Sequence, residues 1–181
     1  MSSIQEDIAD MNHIVSTFLI YSKIYSRELK VKQSKTDLIL WLRKLLEPYS
    51  SSIFEITFHA NELNSLEAYI DINILKHAVT NLITNAMKFA VSHISLTIAL
   101  DDSHILIHVD DDGPGLPNDG IGDIFSEYTT AEDTGIGDKH IGLGLAIVKK
   151  VVDLHAGKIM ATQSPILKGG RFTMVLPRYS L

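Results

Sequence analysis

Apolar residues recur along the first stretch of the chain at helical spacing. Ile4, Ile8, Met11, Val15 and Phe18 follow one another at steps of 4, 3, 4 and 3, and Tyr25 continues the series. This pattern predicts a helix over about the first 25 residues, with an a/d heptad stripe of the kind that seams a coiled coil or four-helix bundle. A stripe that long needs partner helices. The other reading is an amphipathic helix folded onto its own domain.

The next stretch, residues 27–36 (RELKVKQSKT), is polar and basic and reads as a linker or edge segment. Thr36 or Asp37 can cap a second helix running through Leu38, Trp41, Leu42 and Leu45 to Pro48. Ile53 to His59 is strand-like. Asp71 can cap a third helix with Ile72, Leu75, Val79, Leu82, Ile83 and Ala86 on its apolar face. His93–Leu100 and His104–Asp110 read as a hairpin turning at Asp101-Asp102-Ser103. Leu143 to Leu154 is helical again, and Gly157 suits its C-terminal stop. Lys158–Gln163 and Arg171–Leu176 close the chain as a strand pair. Strands follow strands without crossover helices, so the sheet is expected to be mixed and mostly antiparallel. Helices would cover one face, which makes an α/β two-layer sandwich preceded by the coiled-coil-type helix.

Residues 111–142 break the pattern. They hold seven of the eleven glycines and two of the five prolines, with little periodicity. A segment of that length without regular structure is usually functional or mobile.

Composition narrows the function. The chain has 181 residues, 45% of them hydrophobic, and a formal charge of −6. It fits one main domain able to bury about two-thirds of its unfolded surface. It has no cysteine, which excludes a disulfide scaffold, a thiolate metal site and a cysteine nucleophile. No apolar run approaches the roughly 18–20 residues of a membrane span, and the acidic, polar N-terminus is not a signal peptide. The acidic balance argues against general nucleic-acid binding.

Four short motifs carry candidate chemistry. Asn81, Asn85 and Lys88 are spaced to share one helical face. Two carboxamides and an ammonium can ligate Mg²⁺ through an amide oxygen and meet phosphate with the lysine, although the same spacing suits an ordinary wetted helix side. Asp110-Asp111-Asp112-Gly113-Pro114-Gly115 follows a strand. Glycines there let backbone approach a flat ligand, and a strand-end carboxylate can accept a hydrogen bond from an exocyclic amine such as that of adenine. An acidic turn is the simpler alternative. A calcium loop fits poorly, because the acids are contiguous and no glutamate closes the loop. Gly142-Leu143-Gly144-Leu145 opens a helix whose N-terminal amides favour phosphate, without being a Walker A loop. Gly169-Gly170-Arg171-Phe172-Thr173 taken alone is a turn and a strand. The eight histidines form no HExxH, and no G-x-S-x-G elbow occurs, so zinc and serine-hydrolase chemistry have no support. His59, His77 and His108 read as structural or surface residues.

The order and spacing of these motifs resemble the catalytic ATP-binding domain of bacterial sensor histidine kinases, within the Bergerat-fold superfamily that includes gyrase B, Hsp90 and MutL. Residues 81–88 are similar to the N box, 111–115 to the G1 box, and Ile124, Phe125 and Tyr128 to the F box. GLGLAIV (142–148) with Leu154-His155-Ala156-Gly157 resembles the G2 box and its tail, and GGRFTMVLP (169–177) the closing G3 segment. The likeness covers about residues 35–178. Residues 1–30 resemble the second helix of the dimerisation and phosphotransfer hairpin, leaving 31–181 as the ATP-binding domain. The phosphoacceptor motif of the first hairpin helix, H-[ED]-x-[KR]-x-P, does not occur, and His13 is followed by Ile-Val-Ser-Thr.

The resemblance implies ATP and Mg²⁺ as cofactors and transfer of the γ-phosphoryl group to a histidine on a helix absent from this chain. It implies Asn85 at the metal, Asn81 and Lys88 at the phosphates and Phe89 against the nucleotide. Asp111 would read the adenine amine, helped through water by Thr173, with Gly113 and Gly115 making room for the base. Gly142, Leu143, Gly144 and Leu145 would offer backbone to the phosphates, and residues 116–141 would form a lid. His140 and Ile141 depart from the family's usual Gly-Ser or Gly-Thr before the G2 box. Implied partners are the phosphoacceptor helix of the same kinase or a sister subunit, a response regulator, and a second copy through the N-terminal helix, in the cytoplasm. The alternative is a Bergerat-fold adaptor or clamp ATPase without kinase turnover.

Overall fold

Asp71 starts the helix around which the domain is built. Its Oδ1 accepts the backbone N–H of Asn73 at 3.0 Å, and its Oδ2 accepts that of Lys32 at 2.8 Å. Helix α3 (Ile72–Phe89) follows this cap and buries Leu75, Ala78, Val79, Leu82, Ile83 and Ala86 on one stripe. The computed structural model describes residues 15–26, 29–61, 63–116, 124–125 and 143–179.

Before α3 come α1 (residues 15–25), β1 (Ser34–Asp37), α2 (Leu38–Leu46), β2 (Glu55–His59) and β3 (Glu67–Ile70). After it come β4 (His93–Leu100), β5 (His104–Asp111), α4 (Gly144–Leu154), β6 (Lys158–Gln163) and β7 (Gly170–Pro177). The main sheet has the order β2-β4-β5-β7-β6. Only β2–β4 is parallel; the other three pairs are antiparallel. Burial alternates along β5, so Ile105, Ile107 and Val109 face the core while Leu106 and His108 face outward. Ile94, Leu96 and Ile98 of β4 and Phe172, Met174 and Leu176 of β7 join that inner face. Leu82 of α3 and Ile147, Val148, Val151 and Val152 of α4 complete one apolar cluster. The two-layer α/β sandwich with a mostly antiparallel sheet is the architecture observed.

Two short strands escaped the pattern reading. Ser34–Asp37, inside and just past the expected linker, pairs antiparallel with Glu67–Ile70 as a separate two-stranded sheet. The helix stop after α4 also differs in detail. The left-handed residue is Ala156, at φ 54°, not Gly157. Gly157 answers a packing demand instead, since a Cβ there would lie 2.4 Å from the carbonyl oxygen of Val175.

Ile4, Ile8 and Met11 of the heptad stripe lie outside the described residues. Val15 and Phe18 are more than half exposed. Ile24 is buried, and Ile20 and Tyr21 pack on the same core. Tyr25 stacks on Tyr21 at 4.3 Å between centroids, and Lys150 Nζ lies 5.5 Å over the Tyr25 ring. The end of α1 is therefore anchored to the domain, while Val15 and Phe18 ahead of it are exposed.

Candidate functional site

Three consecutive carboxylates stand at the end of β5, Asp110 and Asp111 within it and Asp112 just past it, and backbone geometry sends them to three places. Asp111 continues the inner face set by Ile107 and Val109. Its Oδ1 accepts the N–H of Gly113 at 2.9 Å and of Gly170 at 3.1 Å, and its carbonyl accepts the N–H of Gly169 at 3.1 Å. Oδ2 takes no hydrogen bond from the described residues. Burial pushes the Asp111 carboxyl above the ordinary carboxylate range; the two amides pull against it, and the charges of Asp112 and Asp110 add to the rise. Asp112 turns toward the chain that follows α3. It accepts the N–H of Val91 (2.8 Å) and Ser92 (3.0 Å) and the Ser92 hydroxyl (2.9 Å), with His93 Nδ1 at 3.4 Å. Burial opposes the charge on Asp112, but this ring of donors outweighs it and holds the carboxyl well below the usual range. Asp110 points to the outer face and is fully buried there.

Asp111 and the end of α3 meet at Gly113. A Cβ on Gly113 would sit 2.3 Å from the carbonyl oxygen of Phe89 and 2.9 Å from Asp111 Oδ1. Only glycine fits that approach. Gly115 takes φ 83°, a left-handed conformation, beside the Gln163 side chain.

From Phe89 the polar flank of α3 runs back through Lys88 and Asn85 to Asn81, about 12 Å of helix at roughly 1.5 Å per residue. Lys88 is exposed; Phe89, Asn85 and Asn81 are half-buried. At the far end, a Cβ on Gly144 would lie 3.7 Å from Asn81 Oδ1, so Asn81 abuts the start of α4. Leu143 is buried and precedes α4 without a side-chain cap. Gly144 and Leu145 form the first turn, whose amides carry the positive end of the helix dipole. The strip thus joins a buried carboxylate at one end to an uncapped helix N-terminus at the other. One cation, Lys88, and the neutral amides of Asn85 and Asn81 lie between them. A cavity of about 440 Å³ lies elsewhere, lined by residues that include Arg43, Phe58, His59 and Thr97, and shares none of these groups.

Asp111, Gly113 and Phe89 therefore meet at one end of α3 and Asn81 and Gly144 at the other, with Asn85 and Lys88 on the helix between them; Gly115 lies beside Gln163, Leu143 is buried and Leu145 packs on the core. Thr173 is not among them. It stands opposite His108 in the β5–β7 register, on the outer face, and His108 Nδ1 and Thr173 Oγ1 are 2.9 Å apart. Burial, then the Arg171 charge, pushes the His108 imidazole below its ordinary value, with Asp110 pulling the other way. Gly170, one residue ahead of Arg171, is the β7 residue that contacts Asp111. Of the expected F box, Ile124 and Phe125 pack on the core, with Phe125 edge-on to Phe172 at 6.3 Å. Tyr128, His140, Ile141 and Gly142 lie outside the described residues, as do most of residues 116–141.

Residues 70–180 match the family described as histidine kinase-, DNA gyrase B- and HSP90-like ATPase. The chain belongs to this family. Over 108 residues it is 38% identical to the sensor histidine kinase CpxA of Escherichia coli K12, a match covering 59% of this chain and 23% of CpxA. The full-length structure of ShkA in complex with AMPPNP superimposes with a TM-score of 0.80 at 22% identity, over 97% of this chain and 37% of ShkA. The mycobacterial sensor histidine kinase MprB superimposes with a TM-score of 0.67 at 25% identity, over 81% of this chain and 97% of that one. The chain is thus an ATP-binding catalytic domain of the sensor histidine kinase type, matching under a quarter of the length of CpxA. No helix of the described residues is long and apolar enough to cross a membrane.

Proposed function

We propose that this domain binds Mg·ATP along the α3 strip and passes the γ-phosphoryl group to a histidine imidazole on a phosphoacceptor helix. The observation that carries the proposal is the strip's two ends, Asp111 with Gly113 at Phe89, and Gly144 at Asn81. Asp111 Oδ2 accepts from the exocyclic amine of adenine, and Phe89 lies against the nucleotide. The triphosphate runs toward the α4 N-terminus, where Lys88 and the amides of residues 142–145 meet its oxygens. Asn85, assisted by Asn81, offers neutral carboxamide oxygens of the kind that suit Mg²⁺. That ion takes oxygen ligands, keeps several waters and needs few protein donors when phosphates supply the rest. The ion would offset the charge of the triphosphate.

Catalysis in this scheme is positioning and charge neutralisation. An imidazole nitrogen bonds to the γ-phosphorus as the bond to the bridging oxygen breaks, with ADP leaving in line. The histidine comes from a helix of the same kinase or of a sister subunit, and a response regulator takes the phosphoryl group onward in the cytoplasm. Residues 1–30 serve as the second hairpin helix and pair two copies. A clamp ATPase is the weaker reading, because position 81, where such enzymes would carry a catalytic glutamate, holds an asparagine.

Incubation with γ-labelled ATP and a separately supplied phosphoacceptor hairpin tests this. Label on the hairpin that survives alkali but not acid is expected, with none on this chain alone. Release of labelled phosphate without hairpin labelling would favour the ATPase reading.

A further inference from the structure

Behind Asp111, on the outer face of the sheet, stands a buried ion pair that the proposed nucleotide site does not touch. Asp110 accepts from Arg171 twice, Nε to Oδ1 at 2.6 Å and Nη2 to Oδ2 at 3.0 Å, and these residues are register partners across β5–β7. Ser164 Oγ donates to the same Asp110 Oδ1 at 2.7 Å. Ser164 opens the connection between β6 and β7 and closes it on itself. Its N–H bonds the carbonyl of Gly169 at 2.7 Å, its carbonyl accepts the N–H of Lys168 at 3.2 Å, and its Oγ accepts that of Leu167 at 3.0 Å. The connection ends in Gly169 and Gly170, whose amides hold the Asp111 carbonyl and Oδ1. There is no slack at this point, since a Cβ on Gly169 would lie 2.3 Å from both of those oxygens.

We propose that Ser164, Asp110 and Arg171 are positioning residues for Asp111: they fix the β6–β7 connection so that the Gly170 amide holds Oδ1 and leaves Oδ2 aimed at the base. The inference rests on the reading that Asp111 accepts from the exocyclic amine. A two-pronged guanidinium–carboxylate pair fixes direction as well as distance, which a lysine cannot do. Stability alone does not account for it, because apolar replacements of buried pairs are often neutral or better. Arg171 also balances one of the three adjacent carboxylates, which limits the negative field on Asp111.

The test compares binding of Mg·ATP and Mg·ITP, which carries an oxo group where adenine carries the amine. The proteins are wild type, Ser164→Ala, Arg171→Lys and the double variant Asp110→Val/Arg171→Leu, which leaves no unpaired charge. Wild type is expected to prefer ATP. The variants are expected to lose about tenfold in ATP affinity, the scale of one misdirected charged hydrogen bond, while ITP affinity stays within about twofold. A merely structural role would weaken both nucleotides together, and that result overturns the proposal. Ser164→Ala removes a single hydroxyl and keeps the test open if the double variant does not fold. A wild-type preference that survives in all the variants overturns the positioning role alone. A wild type that binds both nucleotides alike overturns the base-reading role of Asp111 and the proposal with it.

Discussion

Nε2 of His155, just past the end of α4, accepts the backbone N–H of Asp71 at the start of α3, 3.1 Å away. Nδ1 of the same ring donates to the carbonyl of Val151 at 2.8 Å, which sets the tautomer. One buried imidazole therefore links the two helices whose other ends frame the nucleotide strip. His155→Leu is expected to keep the ring's volume, leave the Asp71 amide without its partner and cost about 1–3 kcal/mol. Chemical denaturation checks this, and an unchanged midpoint would show that the link carries no stability.

Asp112 fastens the loop after α3 to the G1 turn. With one carboxylate holding several donors, Asp112→Ala is expected to destabilise by about 2 kcal/mol. Its carboxyl is held below the ordinary range, so its contribution is complete above the unfolded-state carboxylate value. It is lost progressively as pH falls from that value toward the depressed folded one. Thermal melts from pH 7 down to pH 4 should therefore show a nearly constant gap between wild type and variant. A gap that closes before pH 4 would contradict the assignment.

Asp111 titrates in the other direction. Burial raises its carboxyl, so protonation on acidification begins at a higher pH than for a free aspartate. The neutral acid no longer offers a charged acceptor to the exocyclic amine. ATP affinity is expected to fall on the acid side, above the usual carboxylate range, while ITP affinity falls less. Calorimetry across pH 4.5–7.5 checks this, and parallel curves for the two nucleotides would contradict it.

Much of this domain was legible in the sequence where burial has a period. The α3 stripe from Leu75 to Ala86, the β4–β5 hairpin and the cap Asp71 could be read directly, because apolar spacing and cap chemistry agree there, while the choice between Thr36 and Asp37 at the start of α2 was settled only by the fold, for Asp37. The strands SKTD and EAYI could not, being four residues each, the first wholly polar, and paired across thirty or more positions. The glycines mark the strip's ends: Gly113 stands where a side chain would intrude on Phe89, and Gly144 lies in ordinary contact range of Asn81. Thr173 was misplaced because its face depends on register, and register appears only once β5 and β7 are paired. Asp110 and Asp112 were hidden by their neighbour. Three aspartates in a row look alike until the pleat of β5 puts Asp110 and Asp111 on opposite faces and the chain, leaving the strand, turns Asp112 toward Val91 and Ser92.

The nucleotide strip itself is tested most directly by titrating Mg·ATP into wild type and Asp111→Asn by calorimetry. With Oδ1 kept on the Gly113 and Gly170 amides, asparagine would turn its NH₂ toward the base, donor against donor. Saturable one-to-one binding to wild type, weakened about tenfold or more in the variant, is the expected result. Absence of binding to wild type, or equal binding by both proteins, would contradict a purine triphosphate held between Asp111 and the start of α4.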